Sequence, residues 1–267
     1  METRLRPGAT ADQATAALRS QIQAARNVTG GGNQPDNYLN WTEEAYRQLG
    51  NSLLPSQVDH LIETQRYWAL RQMPRSSVGL QLIVAREIDS RIRIFGEAAN
   101  ELEAMQRRWQ RHSGRIVVPD TNIFLHYPVT FDRIRWPAVL DIRGDVNLVI
   151  PMLVIDELDS AKRSGKQEVK TRARVTLRTL NSLLPTPDAV IPLGSPDEHH
   201  RGTTLEVLVD SQYHNRLVSA DGEIVDRTLY IGEISGRRPL LVTEDNGMQL
   251  RAEAWGVETS ILSGGNA

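Results

Sequence analysis

From Gly114 onward, short apolar runs rich in β-branched residues alternate with segments of helical periodicity. This alternation constrains the fold more than any other feature, because it is typical of a parallel α/β sheet covered by helices. We therefore predict an α/β domain over 113–267. Its expected strands are 116–118, 146–150, 189–193, 204–209, 240–243 and 257–261. Its expected helices are 132–140, 153–164, 170–183, 223–234 and 246–255.

The first 112 residues show helical periodicity only. We predict a flexible segment over 1–36, because three consecutive glycines at 30–32 and Pro35 interrupt the chain. One short helix is expected before this break, near 14–25. An all-α module over 37–112 should follow, with one helix over 55–73 that begins at Ser56 as N-cap.

The last predicted helix of this module, over 76–111, carries an apolar seam. Ile88, Phe95, Leu102 and Trp109 recur at every seventh residue, whereas Arg91 interrupts the neighbouring row. We favour a packing face inside a helical bundle over a dimerising coiled coil. Interaction with a protein partner or self-association is the function that this module supports.

The composition excludes several classes of protein. The chain of 267 residues contains no cysteine, so disulfides, cysteine zinc sites and a cysteine nucleophile are excluded. A net charge of −2 means that any nucleic-acid site must be a local basic patch. The longest apolar run of the chain, 148–155, is too short to span a bilayer. We therefore expect a soluble cytoplasmic protein with no membrane partner.

Carboxylates follow the predicted strands. Asp120 comes directly after the first strand, Glu157 follows the second, and Asp245 follows the fifth. The carboxyl ends of parallel strands lie along one edge of the sheet, so we expect these side chains to share a cleft. Crowded carboxylates raise one another's pKa, and a cation relieves that conflict. Ligands that are all oxygen favour Mg²⁺ or Mn²⁺.

Four segments resemble, in order, the motifs of PIN-domain nucleases: VVPDTNIFLH, IPMLVIDELDSAK, EIVDRTLYI and LLVTEDNGMQLRAEAWGV. The resemblance covers 114–262 and implies a PIN-like three-layer fold around the sheet. It implies metal-binding and catalytic acids at Asp120, Glu157, Asp245 and, best matched for the fourth position, Asp226. Asp221 and Glu223 lie nearby and remain alternatives for that fourth acid.

The same resemblance assigns supporting roles and an activity. Thr121 and Asn122 would orient Asp120, and Thr243 would be a polar neighbour of the metal ligands. The implied function is a metal-dependent endoribonuclease that cuts single-stranded RNA to leave a 5′-phosphate and a 3′-hydroxyl. A toxin of a toxin-antitoxin pair and an RNA-processing enzyme are both compatible with that activity. The alternative is an inactive PIN fold that binds RNA or acts as a scaffold.

A basic segment follows Glu157, and its phosphate contacts would lead RNA to the metal. A solvated helix face is the competing interpretation. The residues considered for RNA binding are Lys162, Arg163, Lys166, Lys170, Arg172 and Arg174, with Arg178 beyond them.

Two other enzyme classes fail on their motifs. The MLVIDE segment resembles the strand and acid pair of a P-loop ATPase, but no phosphate-binding loop accompanies it. A haloacid-dehalogenase phosphatase needs an aspartate where the chain has Asn122. His199 and His200 are predicted to be exposed loop residues and not metal ligands.

Overall fold

The structure is a computed structural model that describes residues 2–28, 33–111, 113–193, 202–211 and 214–262. His199 and His200 lie outside these ranges. The chain divides into two compact units. The helical unit comprises Met1–Gln110 with Glu233–Gly236, and the α/β unit comprises Arg111–Gly232 with Arg237–Ala267.

The helical unit is built around one long helix. In chain order its helices are α1 (Ala11–Val28), α2 (Gln34–Leu49), α3 (Pro55–Ile62), α4 (Gln65–Gln72) and α5 (Leu80–Gln110). Helix α5 packs on the other four. The predicted seam is buried, since Ile88, Phe95, Leu102 and Trp109 are at most 1% exposed. The ring centroids of Phe95 and Trp41 of α2 are 5.9 Å apart. The seam is therefore a packing face within the bundle.

The structure differs from the prediction at the first helix. Helix α1 is longer than expected and buries Leu18 and Ile22 against the unit. The described part of residues 1–36 therefore belongs to the bundle and is not a separate segment.

A second difference concerns the predicted helix over 55–73. The chain forms two helices there, because Thr64 ends the first and caps the second by accepting a hydrogen bond from the Tyr67 N–H at 3.0 Å. The N-cap of α3 is Leu54 and not Ser56, with Pro55 at the first helical position.

The α/β unit contains a six-stranded sheet, as predicted. Its strands are β1 (Arg115–Pro119), β2 (Val146–Pro151), β3 (Ile191–Pro192), β4 (Thr203–Leu208), β5 (Leu240–Val242) and β6 (Glu258–Ser260). Their order is β3-β4-β2-β1-β5-β6. All pairings are parallel except that of β3 with β4. Apolar residues that are fully buried in β1, β2 and β5 form the centre of the sheet.

Helices connect these strands. They are α6 (Thr121–His126), α7 (Trp136–Val139), α8 (Met152–Ala161), α9 (Gln167–Leu183), α10 (Ala220–Ser235) and α11 (Asn246–Ala254). The helix predicted over 132–140 is instead a 3-10 turn at Phe131–Arg133 followed by α7. Pro137 explains the difference, because proline lacks an N–H and is tolerated only in the first turn of a helix. Among the described residues, no helix has the length and apolar character needed to cross a membrane.

Candidate active site

Asp120 lies at the centre of the sheet edge where β1 ends. Pro119 pairs with Val242, so the residues that follow β1 and β5 are neighbours. The Asp120 N–H donates to the Val242 carbonyl at 2.9 Å. The carboxylate is 3% exposed and accepts hydrogen bonds from the Thr243 hydroxyl at 3.0 Å and the Asn122 amide at 3.2 Å. The structure thus places two of the three predicted supporting side chains, those of Asn122 and Thr243, against Asp120.

The environment of Asp120 disfavours its ionised form. Burial raises the pKa of this carboxyl above its ordinary value, and the charges of Glu157 and Asp221 raise it further. Hydrogen bonds from the Thr243 hydroxyl and the Thr121 N–H oppose this shift. Among the described residues, no lysine, arginine or histidine pairs with Asp120. A buried carboxylate beside two others is a position where a bound cation would lower the free energy.

Glu157 lies in the second turn of α8 and is half-buried. Its carboxylate accepts a hydrogen bond from the Thr121 hydroxyl at 2.5 Å. Thr121 therefore contacts two acids, Asp120 through its backbone N–H and Glu157 through its side chain. The sequence had suggested only the contact with Asp120.

Asp245 is the N-cap of α11. It is exposed, and its Oδ1 accepts a hydrogen bond from the Met248 N–H at 2.9 Å. The Asp245 N–H donates to the Thr243 hydroxyl oxygen at 3.1 Å. The Thr243 hydroxyl, which also donates to Asp120, thus connects the two acid-bearing segments.

The fourth predicted acid has different surroundings. Asp226 lies 3.1 Å from the guanidinium of its neighbour Arg227. Asp221 lies in the first turn of α10, and its charge is one of those that raise the pKa of Asp120. Asp226 is five residues farther along that helix, about 7.5 Å along its axis. Both stay candidates for the fourth acid, and the effect of Asp221 on Asp120 is our reason for proposing Asp221.

The other alternative, Glu223, belongs to a separate buried network. It accepts a hydrogen bond from the Leu217 N–H at 2.7 Å and lies 2.6 Å from Nε2 of His214. Among the described residues, Asp210, His214 and Glu223 are the only three histidine or acidic side chains whose ligand atoms all lie within 4.8 Å of one another.

Arginines already neutralise that network. The Arg227 guanidinium lies 3.5 Å from Glu223, and Arg216 lies 2.6 Å from Asp210. Arg216 also lies 2.6 Å from Asp156 of α8. These contacts hold Asp210, Arg216 and Leu217, which belong to the described residues between β4 and α10. We therefore interpret the network as structural support and not as the metal centre.

The donor set around Asp120 fits a hard divalent cation. Carboxylates and hydroxyls supply only oxygen ligands, which suits Mg²⁺ or Mn²⁺. Mg²⁺ usually keeps several waters and is held by one or two carboxylates, so such an ion does not need all four acids as direct ligands.

The structure divides the predicted RNA-binding cations into two sets. Lys162 and Arg163 both pair with Asp159, and Arg172 donates to the Tyr127 carbonyl. Within the described ranges, the other predicted cations form no ion pair. They are Lys166, Lys170 and Arg174, and the same holds for Arg178.

Comparison with known proteins agrees with the fold and the motifs. A PIN-domain family profile matches residues 117–262. This match covers more than half of the chain, which therefore belongs to the PIN-domain family, as the sequence resemblance indicated. PIN domains are in general nucleases that use divalent metals, and the fold is of that nuclease type.

Other comparisons add little about function. A search of curated proteins found no significant match. Among solved structures, a domain of a functionally unknown protein from Methanocaldococcus jannaschii DSM 2661 is similar, at 18% sequence identity and a TM-score of 0.37. The alignment covers 58% of this chain and 95% of that one.

Proposed function

We propose that this protein is a metal-dependent endoribonuclease that cuts single-stranded RNA. Asp120, Glu157, Asp221 and Asp245 would hold Mg²⁺ or Mn²⁺. The observation that carries the proposal is the buried Asp120 carboxylate, whose pKa is raised by burial and by two neighbouring acids while none of the described cations pairs with it. A carboxylate with only structural duties would be expected to have such a partner.

When bound, a divalent cation supplies an activated water and stabilises negative charge on the phosphate oxygens. The residues of this chain would hold the acids in place for that chemistry. Thr243 positions Asp120 and the backbone of Asp245, whereas Thr121 positions Glu157. Hydrolysis would leave a 5′-phosphate and a 3′-hydroxyl, and we propose an RNA-processing or toxin role in the cytoplasm.

The test compares the full chain with its Asp120→Asn variant on labelled single-stranded RNA, in Mn²⁺, Mg²⁺ or chelator. Cutting should require metal, and the variant should cut at least about 100-fold more slowly because it lacks a ligand charge. Asp159→Asn is the matched control, since it removes an exposed acid of α8 that pairs with Lys162. This control should cut at the wild-type rate.

Two outcomes would contradict the proposal. Cutting by Asp120→Asn at the wild-type rate would exclude the site. Binding of RNA by the wild-type protein without cutting in either metal would favour the inactive PIN fold as an RNA-binding module.

A further inference from the structure

Four cationic side chains form a row along α9. Lys166, the N-cap residue, is followed at intervals of four residues by Lys170, Arg174 and Arg178. We call these residues the α9 ladder. Each step corresponds to about 6 Å along the helix axis, so the ladder extends over about 18 Å. Lys166, Arg174 and Arg178 are exposed and Lys170 is half-buried.

The packed face of α9 adjoins the ladder. Ala173, Thr176 and Leu180 are buried, and α9 packs on α6 and α8. Since the buried residues already anchor the helix, the ladder is not needed to hold it in the fold.

The ladder cations differ from their neighbours in the same basic segment. Lys162 and Arg163 share one counter-charge, that of Asp159, and Arg172 donates to a backbone carbonyl. Across the ranges that the structure describes, the four ladder side chains have no ion pair. The one acid of this helix, Glu168, does not pair with them either.

Such an arrangement destabilises an isolated helix. Like charges four residues apart on a helix repel each other, and the ladder contains three consecutive repulsive steps. No described contact offsets that repulsion. A polyanion whose charges repeat along a line would offset it, because each negative group would neutralise one cation.

We propose that the α9 ladder binds successive phosphates of the single-stranded RNA substrate. This inference rests on the proposed nuclease function and names the surface that holds the strand. The segment 162–166 joins α9 directly to α8, which carries Glu157, so the ladder begins nine residues after an acid of the site. The step of the ladder is of the same order as the distance between phosphates of an extended strand.

The chemistry of the ladder also defines the kind of recognition. Helix α9 contains no aromatic residue on which a base could stack. Contacts with phosphates carry no sequence information, so binding through the ladder should be independent of base sequence and strongly dependent on salt. Any sequence preference would have to arise elsewhere, at the acid site or its loops.

The test measures binding apart from cleavage. In the Asp120→Asn background, the affinity for a fluorescent oligouridylate of about 12 nucleotides is followed by anisotropy over a salt series. Lys170→Gln with Arg174→Gln removes two ladder charges. Lys162→Gln with Arg163→Gln is the matched control, since it removes two charges from the same segment, one of which Asp159 offsets.

The expected result is a change in the salt dependence. The slope of log affinity against log salt should fall by about 1.4 for the ladder pair, since each phosphate contact to a single strand contributes about 0.7. The control pair should change the slope by less than half as much. Equal changes in slope for the two pairs would indicate a diffuse positive field and would contradict the ladder proposal. An unchanged slope for the ladder pair would also contradict it.

Cleavage by the otherwise wild-type chain separates the two proposals. With Mn²⁺, the ladder pair should raise KM and leave kcat unchanged. Cleavage with unaltered KM and salt slope would overturn the ladder while the nuclease function stands. A ladder-dependent salt slope without cleavage in any metal would support the ladder as an RNA-binding surface and overturn the nuclease function. Thermal unfolding of both pairs should show that they fold, with the ladder pair at least as stable as wild type.

Discussion

The two units each bury a carboxylate, and they treat it in opposite ways. In the helical unit, Glu87 is 1% exposed and lies 3.1 Å from the buried Arg91 guanidinium. It also accepts a hydrogen bond from the Thr64 hydroxyl at 2.7 Å, and Arg91 donates to the Leu61 carbonyl. In the α/β unit, Asp120 is buried to a similar extent, and its charged neighbours are two further acids.

This difference separates a structural charge from one that is suited to a ligand. The charge of Glu87 is neutralised within the chain, and its hydrogen bonds connect α5 with the segment between α3 and α4. Asp120 has hydrogen-bond donors that fix its orientation, but no neutralising group among the described residues. A burial value alone would not distinguish the two carboxylates, whereas the sign of the neighbouring charges does.

The largest expected effect is on the stability of the helical unit. Glu87→Gln leaves the buried Arg91 without a counter-charge and should lower the free energy of unfolding by about 3–5 kcal/mol. Chemical denaturation of the full chain measures the change. Replacing both Glu87 and Arg91 by apolar side chains should recover most of the lost stability. If it does not, the pair stabilises the unit by more than mutual charge neutralisation.

The next effect concerns the identity of the fourth acid. Asp221→Asn should slow metal-dependent RNA cutting by about 100-fold or more, whereas Asp226→Asn should leave the rate within a few-fold of wild type. Both variants remove one carboxylate from α10, so each serves as the control for the other. The opposite ranking would restore Asp226 as the metal ligand and refute the placement of Asp221.

The smallest effect is the pH dependence of stability in the absence of metal. Because the pKa of Asp120 is raised in the folded state, its ionisation favours unfolding. The contribution of Asp120 to stability should therefore fall as the pH rises from 3.8, the ordinary pKa of an aspartate, through the raised pKa of Asp120 in the folded state. Above that range Asp120→Asn should be more stable than wild type, by about 1.4 kcal/mol for each unit by which the pKa is raised.

Thermal unfolding in chelator, at several pH values, measures this difference. Asp159→Asn is the control, because Lys162 lowers the pKa of Asp159 and its removal should not stabilise the protein. Equal stability of wild type and Asp120→Asn at neutral pH would show that the burial of Asp120 is fully compensated.

Much of the fold was predictable because its signals are periodic. The alternation of β-branched runs with helices predicted the parallel sheet, and the seven-residue spacing of Ile88 to Trp109 predicted the seam of α5. The errors in helix boundaries occurred where a single residue ends or prevents a helix. Thr64 divides a helix by capping, and Pro137 prevents one from forming, although the apolar spacing around each of them is compatible with a longer helix.

The site was less predictable than the fold. The motifs indicated Asp120, Glu157 and Asp245, which follow strands at one sheet edge. The fourth acid depends on rotation, because each residue advances a helix by about 100° and three acids within six residues face in different directions. The basic segment posed a similar problem. Composition gave the number of cations, but only the structure shows that Asp159 contacts two of them and that no acid among the described residues pairs with the ladder.

Arg216 affects how easily a nucleic acid can approach the site. Its guanidinium lies 2.6 Å from both Asp156 and Asp210, so two carboxylates share one cation, and Asp156 is the residue before Glu157. Without it, a strand of phosphates would meet a wider negative surface before reaching any metal. Arg216 thus reduces the repulsion that an acidic active site exerts on an acidic substrate.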